Sequence, residues 1–181
     1  KEKLKQLILF LREEYDLVLI DTSGNIRDDT TTTALALSDL NVILFQSDFT
    51  SLVQTRKFIE MIQLFEKHID RRILKNTILV LNRYEHNNNL SIERVKTSIF
   101  DFENIDIQIP LYIPEEPNLT KYANKGEFII KKQCETSEKI IELGSLVYPY
   151  YIDGNKNKKK KPNLGKKGDS LFGSLLNKWK R

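Results

Sequence analysis

An apolar run near the start of the sequence ends on a carboxylate, in the stretch YDLVLIDTSGN over residues 15–25. Asp21 closes the run, and two hydroxyl residues and a glycine follow it. A Mg²⁺ ion at nucleotide phosphates takes only one or two protein carboxylates and fills its other positions with water. Open α/β sheets bind their ligands outside the carboxyl ends of the strands. The stretch therefore predicts a nucleotide phosphate with its Mg²⁺ ion at Asp21, although an aspartate in this position is also a common helix cap or turn former.

Apolar strands alternate with helical patterns along residues 1–147. Runs such as DLVLID are continuous enough for a sheet that is buried on both faces. The sequence predicts strands over residues 16–21, 41–46, 76–82 and 105–114, and helices over 1–14, 33–39, 91–102, 118–126 and 131–147, with one more long helix capped by Thr50 or Ser51. This alternation predicts the α/β class, with a mostly parallel sheet and helices on both faces.

These segments, in their order along the chain, resemble the MinD/ParA family of deviant P-loop ATPases. The resemblance rests on IDTSG, ALALSDLNVILFQSDFTSLVQTRKFIEMI, ILVLNR and IPEEPNLTKYANKGEFI, and it covers residues 15–147. It implies a P-loop NTPase-like domain within residues 1–147, with ATP and Mg²⁺ as cofactors. It also implies a nucleotide-dependent homodimer that positions other machinery on a membrane or on the nucleoid.

In the switch segment, the resemblance assigns roles to neighbouring residues. Asp21 matches the family's Walker B aspartate, which holds Mg²⁺ through water. Gly24 matches the glycine of the switch loop that senses the γ-phosphate. Thr22 lies where that loop turns, and Ser23 replaces the proline that is usual there. The resemblance therefore implies a catalytic role for Asp21 and Gly24 and a cofactor contact for Thr22.

Around the base, the resemblance implies a second set of contacts. Asn82 matches the asparagine whose amide reads the adenine edge, and Arg83 lies beside it. Pro114 and Glu115 match the loop that lines the other side of the base. Taken without the family, Asn82 is a turn former as readily as a ligand, and Arg83 is a solvated side chain or pairs with an acid.

The family's glycine-rich phosphate loop does not occur in these 181 residues. The backbone N–H groups of such a loop supply most of the phosphate binding, so this polypeptide alone is predicted not to hydrolyse ATP. Either the sequence is incomplete, or the chain is a remnant that lost catalysis. It opens without Met on the helical pattern KEKLKQLILFLREEYD, which favours the interpretation as a fragment.

The C-terminal part of the chain has a different composition. Of 29 basic and 25 acidic residues, 19 and 24 fall in residues 1–155, so this part carries a net charge of −5 while the rest is strongly basic. Residues 148–168 predict a disordered basic linker, and residues 169–181 predict a short amphipathic helix. Its apolar face consists of Leu171, Phe172, Leu175, Leu176 and Trp179. Such a face with cations beside it is suited to an anionic membrane surface, and MinD-type members attach to membranes through a helix of this kind.

Three other interpretations of the C-terminal region remain open. The helix could pack onto the body of the protein or onto a partner protein. The lysine run could bind DNA, because phosphate contacts require only positive charge, although the apolar face is superfluous for DNA. Finally, Tyr148, Tyr150 and Tyr151 resemble the C-terminal tyrosine clusters of related bacterial tyrosine kinases, which are usually the last residues of those chains.

Two classes of function follow from these patterns. The first is an ATPase that organises division, segregation or secretion machinery, with an unknown protein cargo. The second is a non-catalytic binding module that keeps the fold and the membrane helix. The single cysteine, Cys134, fits a reducing compartment, and no apolar run reaches the roughly 20 residues of a membrane span. The sequence therefore predicts a cytoplasmic protein that is peripheral at the inner face of the cell membrane.

Overall fold

A computed structural model describes residues 2–69, 71–85, 87, 91–100 and 107–147 of the chain. The predicted linker over residues 148–168 and the predicted helix over residues 169–181 lie outside the described residues. The same holds for the five apolar side chains of that helix, Leu171, Phe172, Leu175, Leu176 and Trp179. No helix in the described part of the chain is long and apolar enough to cross a membrane.

Helices and strands alternate between residues 29 and 124, as the sequence predicts. The α-helices are α1 (Glu2–Glu14), α2 (Asp29–Leu37), α3 (Phe49–Glu66), α4 (Ile92–Phe100), α5 (Leu119–Asn124) and α6 (Glu135–Val147). The strands are β1 (Asn41–Phe45), β2 (Thr77–Tyr84) and β3 (Gln108–Pro114). Short 3-10 turns cover Leu74–Asn76 and Ile129–Lys131.

The three strands form a parallel sheet in the order β1-β2-β3. Successive side chains of a strand point to opposite faces of the sheet. On one face, Leu79 and Leu81 of β2 are fully buried in a cluster with side chains of α3 and α4. On the other face, Val80 packs with β3 and with Ile140 of α6. The predicted α/β class, with a mostly parallel sheet and helices on both faces, is therefore confirmed.

The predicted first strand, over residues 16–21, is wrong. This segment lies outside any helix or strand, and its apolar side chains are exposed, Leu17 by 44% and Leu19 by 77%. A strand satisfies its backbone N–H and C=O groups only by pairing with a neighbour. Within the described residues the sheet ends at β1, and no strand pairs with this segment. An apolar run alone is thus insufficient to make a buried strand here.

Three helix starts also differ from the sequence prediction, and one of them is α6, which begins at Glu135 rather than at residue 131. Helix α2 begins at Asp29 rather than at residue 33. Threonine hydroxyls of its first turns donate to carbonyls one turn back, as Thr33 Oγ1 does to Asp29 O at 2.5 Å. The cap of α3 is Asp48, not Thr50 or Ser51. Its carboxylate accepts a hydrogen bond from Ser51 N at 2.9 Å, which satisfies one of the free N–H groups of the first turn.

Helix α5 ends at Asn124, and Gly126 follows its cap residue Lys125, close to the helix end that the sequence predicts. This glycine has φ +67°, a left-handed conformation that glycine adopts at little cost. Gly126 N donates to Ala123 O at 2.9 Å, and Glu127 N donates to Tyr122 O at 3.0 Å. This pair of bonds is a Schellman motif, which ends the helix and fixes the direction of the following segment.

Candidate functional site

The carboxyl ends of β2 and β3 bring together residues from two separate segments of the sequence. Because the strands are parallel, their ends lie at one edge of the sheet, with Asn82 opposite Ile113 and Tyr84 opposite Pro114. Glu115 N donates to Tyr84 O at 3.0 Å, so the pairing continues one residue beyond β3. Asn82, Arg83, Pro114 and Glu115, which the resemblance groups around a base, are therefore neighbours in the structure.

Arg83 has an unusual backbone conformation at this edge. Its φ is +53°, which is the left-handed region, and the register of β2 against β3 shifts between Asn82 and Tyr84. A non-glycine residue in this region carries strain, and such residues cluster at functional sites. The strand thus has a bulge directly after Asn82 and continues in pairing with β3 to Tyr84.

The side chain of Arg83 reaches the opposite strand end. Arg83 Nε lies 4.0 Å from Glu115 Oε2, and both side chains are largely exposed. This geometry matches the interpretation in which Arg83 pairs with an acid. An exposed pair at this distance contributes little to stability, about 0–1 kcal/mol. We therefore regard it as orienting the two loops rather than as holding the fold together.

Helix α6 fixes the loop after β3 from behind. Thr136 is buried, and its Oγ1 donates to Pro114 O at 3.1 Å. Nearby, Tyr112 Oη donates to Glu135 Oε1 at 3.3 Å. Burial, followed by the charge of Glu135, raises the pKa of Tyr112 above its ordinary value. Sequence reasoning missed Thr136, because its bond reaches a segment 22 positions away that no local pattern signals.

The segment with Asp21 is a separate, exposed loop. Asp21, Thr22 and Gly24 are all exposed, and a Cβ placed on Gly24 would meet no atom within 4 Å. Packing therefore does not require glycine at position 24, and the space beside it is open. Among the described residues, no side-chain hydrogen bond or ion pair engages the Asp21 carboxylate, so it is accessible to a hydrated cation.

Ser23 connects this loop to the start of α2, which sequence reasoning did not anticipate. Ser23 Oγ donates to Asp28 Oδ2 at 2.6 Å, and Thr31 Oγ1 donates to Ser23 O at 3.0 Å. Thr31 is buried, with 1% of its surface exposed. These bonds hold the backbone directly after Thr22 against the first turn of α2.

The residues around Asn82 at the sheet edge and the loop with Asp21 suit different parts of a nucleotide and its ion. Asn82 is partly buried at a tightly connected strand end, and its amide offers both a donor and an acceptor, as an adenine edge requires. Asp21 offers one carboxylate, which suffices for Mg²⁺ bound largely through water. In the described part of the chain, no group of three or more His, Cys, Asp or Glu side chains could hold a metal ion by itself. The residues present thus fit the base and a water-coordinated ion, but not the phosphates.

Three solved structures that resemble this chain contain MinD or ParA family proteins. The MinD cell division protein of Aquifex aeolicus is 21% identical, with 88% of this chain and 63% of that chain covered and a TM-score of 0.64. The MinC:MinD cell division protein complex of Aquifex aeolicus gives 22% identity, 88% and 61% coverage, and a TM-score of 0.64. A ParA family ATPase from Chlorobium tepidum TLS gives 18% identity, 77% and 54% coverage, and a TM-score of 0.63. The chain therefore has a MinD/ParA-like fold.

These matches cover only part of each solved structure. The chain spans less than two thirds of the length of each of these structures. No family profile matches the sequence, and no curated protein matches it.

Proposed function

We propose that this chain forms the base-binding and magnesium-binding side of a MinD/ParA-like ATPase. The observation that carries the proposal is the convergence of Asn82 and Arg83 with Pro114 and Glu115 at one edge of a sheet with a MinD/ParA-like fold. Ligands of open α/β sheets bind outside the carboxyl ends of the strands. The bulge at Arg83 interrupts the register directly after Asn82, at that edge.

Each residue has a distinct role in this proposal. Asn82 would donate to and accept from the edge of the adenine ring, and the loop at Pro114 and Glu115 would line the other side of the base. Asp21 would hold Mg²⁺ through a water molecule, and Gly24 would belong to the loop that senses the terminal phosphate. ATP supplies the phosphoanhydride bond, and Mg²⁺ neutralises its phosphates when both are bound.

The phosphates need N–H donors that these residues do not provide, since the sequence contains no glycine-rich phosphate loop. We therefore expect no ATP turnover by the 181-residue chain alone. In a longer polypeptide that includes such a loop, Asp21→Ala should abolish hydrolysis while the fold, measured by circular dichroism, survives. Asp16→Ala removes an exposed carboxylate of the same segment and should leave turnover unchanged. Unchanged turnover in the Asp21→Ala protein, or turnover by the present chain, would contradict the assignment.

We also propose that the protein is peripheral at an anionic membrane. The proposal is supported by the apolar face of Leu171, Phe172, Leu175, Leu176 and Trp179 beside ten basic residues in positions 156–181. A helix of about a dozen residues is marginal in water and gains stability when its apolar face is buried in the interface. Trp179 fluorescence should shift to the blue on anionic vesicles, and Phe172→Glu should abolish the shift. An unchanged spectrum, together with salt-dependent binding to duplex DNA, would identify the tail as a DNA-binding arm instead.

The assembly that uses these sites is part of the same proposal. A nucleotide-dependent homodimer at the inner face of the cell membrane would position a protein cargo for division, segregation or secretion. A non-catalytic binding module that keeps the fold and the membrane helix is the second candidate. Nucleotide binding separates the two, because the module requires none.

A further inference from the structure

The segment between the start of α5 and the start of α6 presents exposed apolar side chains among lysines. Phe128 is exposed by 67%, Ile130 by 51% and Leu119 by 44%. Residues 119–132 contain four lysines and one acidic residue, Glu127, although the chain up to residue 155 is acidic on balance. We call the three apolar side chains and the four lysines (Lys121, Lys125, Lys131 and Lys132) the lysine–phenylalanine patch.

The backbone beneath this patch is well connected. The Schellman motif at Gly126 ends α5 and fixes the direction of the segment that follows. The 3-10 turn then closes with Lys132 N donating to Ile129 O at 2.9 Å. Ser137 Oγ of α6 donates to Ile130 O at 3.2 Å, which attaches the turn to the body of the protein. Phe128 and Ile130 are therefore exposed on a fixed backbone.

The lysines surround one carboxylate. Lys132 Nζ lies 2.6 Å from Glu127 Oε2 and 4.8 Å from the centre of the Tyr122 ring. The hydrogen bond from Lys132 lowers the pKa of Glu127, and the positive charges of Lys125 and Lys121 lower it further. Glu127 offsets one of these charges, so the patch keeps a net positive charge.

The apolar part of the patch also has lysine beside it. Lys131 Nζ lies 5.7 Å from the centre of the Phe128 ring. An aromatic ring and an aliphatic side chain with cations around them can enter the interfacial region of a bilayer, where lysines meet anionic headgroups. The lysine stems remain apolar and can cover the rim of such a contact.

We propose that the lysine–phenylalanine patch is a second contact with the anionic lipid surface, in addition to the C-terminal helix; this inference rests on the membrane attachment proposed above. The size of the patch favours lipid over a protein partner. A specific protein interface buries about 800 Å² on each partner, whereas even a fully buried aromatic side chain contributes about 150–250 Å². Three partly exposed apolar side chains fall short of that area. They suffice to strengthen an anchor whose signals are individually modest.

The test measures binding of the full chain to vesicles of phosphatidylserine and phosphatidylcholine by co-sedimentation. Phe128→Ser should lower the partition coefficient about fivefold, since most of a large apolar side chain is withdrawn from the interface. Phe49→Ser is the matched control, because Phe49 is a still more exposed phenylalanine, by 80%, outside the patch. It should bind as the wild type does. Lys121→Gln with Lys125→Gln should weaken binding mainly at low salt.

The outcomes separate this inference from the tail proposal. If Phe172→Glu abolishes binding while Phe128→Ser has no effect, the tail anchors the protein and the patch inference is wrong. If Phe128→Ser weakens binding while Phe172→Glu has no effect, the patch inference stands and the tail proposal is wrong. If Phe128→Ser and Phe49→Ser weaken binding equally, the loss is not specific to the patch and the patch inference is wrong. Binding of poly-glutamate that depends on Phe128, without binding to vesicles, would identify an acidic polypeptide as the occupant and overturn the inference.

Discussion

Arg83 and Glu115 face each other across the carboxyl ends of two parallel strands, with 4.0 Å between Arg83 Nε and Glu115 Oε2. They are 32 positions apart in the sequence, and the pairing of β2 with β3 brings them together. Glu115 N also donates to Tyr84 O at 3.0 Å, so a backbone bond accompanies the ion pair. The edge of the proposed base site is therefore held by contacts that do not involve a nucleotide.

The left-handed conformation of Arg83 gives a stability prediction. It costs a non-glycine residue about 1–2 kcal/mol, whereas the extra freedom of glycine in the unfolded chain costs about 0.5–1 kcal/mol. Arg83→Gly should therefore leave stability unchanged or raise it by up to about 1 kcal/mol, despite the loss of the exposed ion pair. Arg94→Gly, on the exposed surface of α4, should instead lower stability by about 1 kcal/mol. Urea denaturation of both proteins checks the difference, and equal losses would show that Arg83 is not strained.

Substitution by alanine should change the stability of the protein in opposite directions at two glycines, Gly126 and Gly144. A Cβ placed on Gly126 or on Gly144 would meet no atom within 4 Å, so only the backbone conformation differs. Gly126→Ala should destabilise the protein by about 1 kcal/mol, because φ there is +67°. Gly144→Ala, within α6, should stabilise it by about 0.5–1 kcal/mol. Thermal denaturation of the two variants measures the sign of each change in stability, and a loss of stability in both variants would contradict this prediction.

A leucine of β2 and a leucine of residues 16–21 should differ sharply in their contribution to stability. Leu79 in β2 is completely buried, whereas Leu19 is 77% exposed. Leu79→Ala should cost about 2–5 kcal/mol, and Leu19→Ala should fall within about 0.5 kcal/mol of the wild type. A large loss for Leu19→Ala in chemical denaturation would mean that residues 16–21 are buried in a strand after all.

The ion pair of Glu127 with Lys132 should make stability depend on pH. Its hydrogen bond lowers the pKa of Glu127 from the ordinary value of 4.5. A carboxylate with a lowered pKa stabilises the fold above its unfolded value, and this contribution is lost as pH falls through the lowered pKa. The melting temperatures of the wild type and Glu127→Gln should therefore differ at neutral pH and converge below pH 4.5. Lys132→Gln should remove the same pH-dependent difference, and parallel curves at all pH values would refute the assignment.

The sequence predicted the parts of the fold that depend on local pattern. Continuous apolar runs located β1, β2 and β3, and Gly126 marked the end of α5 because its conformation is one that glycine favours. The prediction of a strand over residues 16–21 failed because a strand must pair with a neighbouring strand. An apolar run does not reveal whether such a neighbour is present. The prediction of the cap residue of α3 failed because Asp48, Thr50 and Ser51 all have side chains that can cap a helix. Only the backbone geometry selects Asp48.

The candidate site was predictable only in part, for similar reasons. The resemblance to the MinD/ParA family located Asn82 and the loop at Pro114, and the pairing of two distant strands then placed them together. Nothing in the composition around Arg83 indicates a left-handed residue, because arginine has no preference for that conformation. The bond from Thr136 to Pro114 O also links distant segments, so no local pattern signals it.

The base-binding role of Asn82 is tested most directly by calorimetry on a longer polypeptide that includes a glycine-rich phosphate loop, with ATP titrated, in the presence of Mg²⁺, into that protein and into its Asn82→Ala variant. Loss of a paired amide at a partly buried site should weaken ATP binding by about 1–3 kcal/mol, a factor of roughly 5 to 150 in the dissociation constant. Asn124→Ala removes an exposed amide from α5 and should bind ATP as the wild type does. We predict weaker ATP binding by the Asn82→Ala protein alone. Equal affinities for all three proteins, or no ATP binding by any of them, would contradict the assignment of this edge of the sheet as an adenine site.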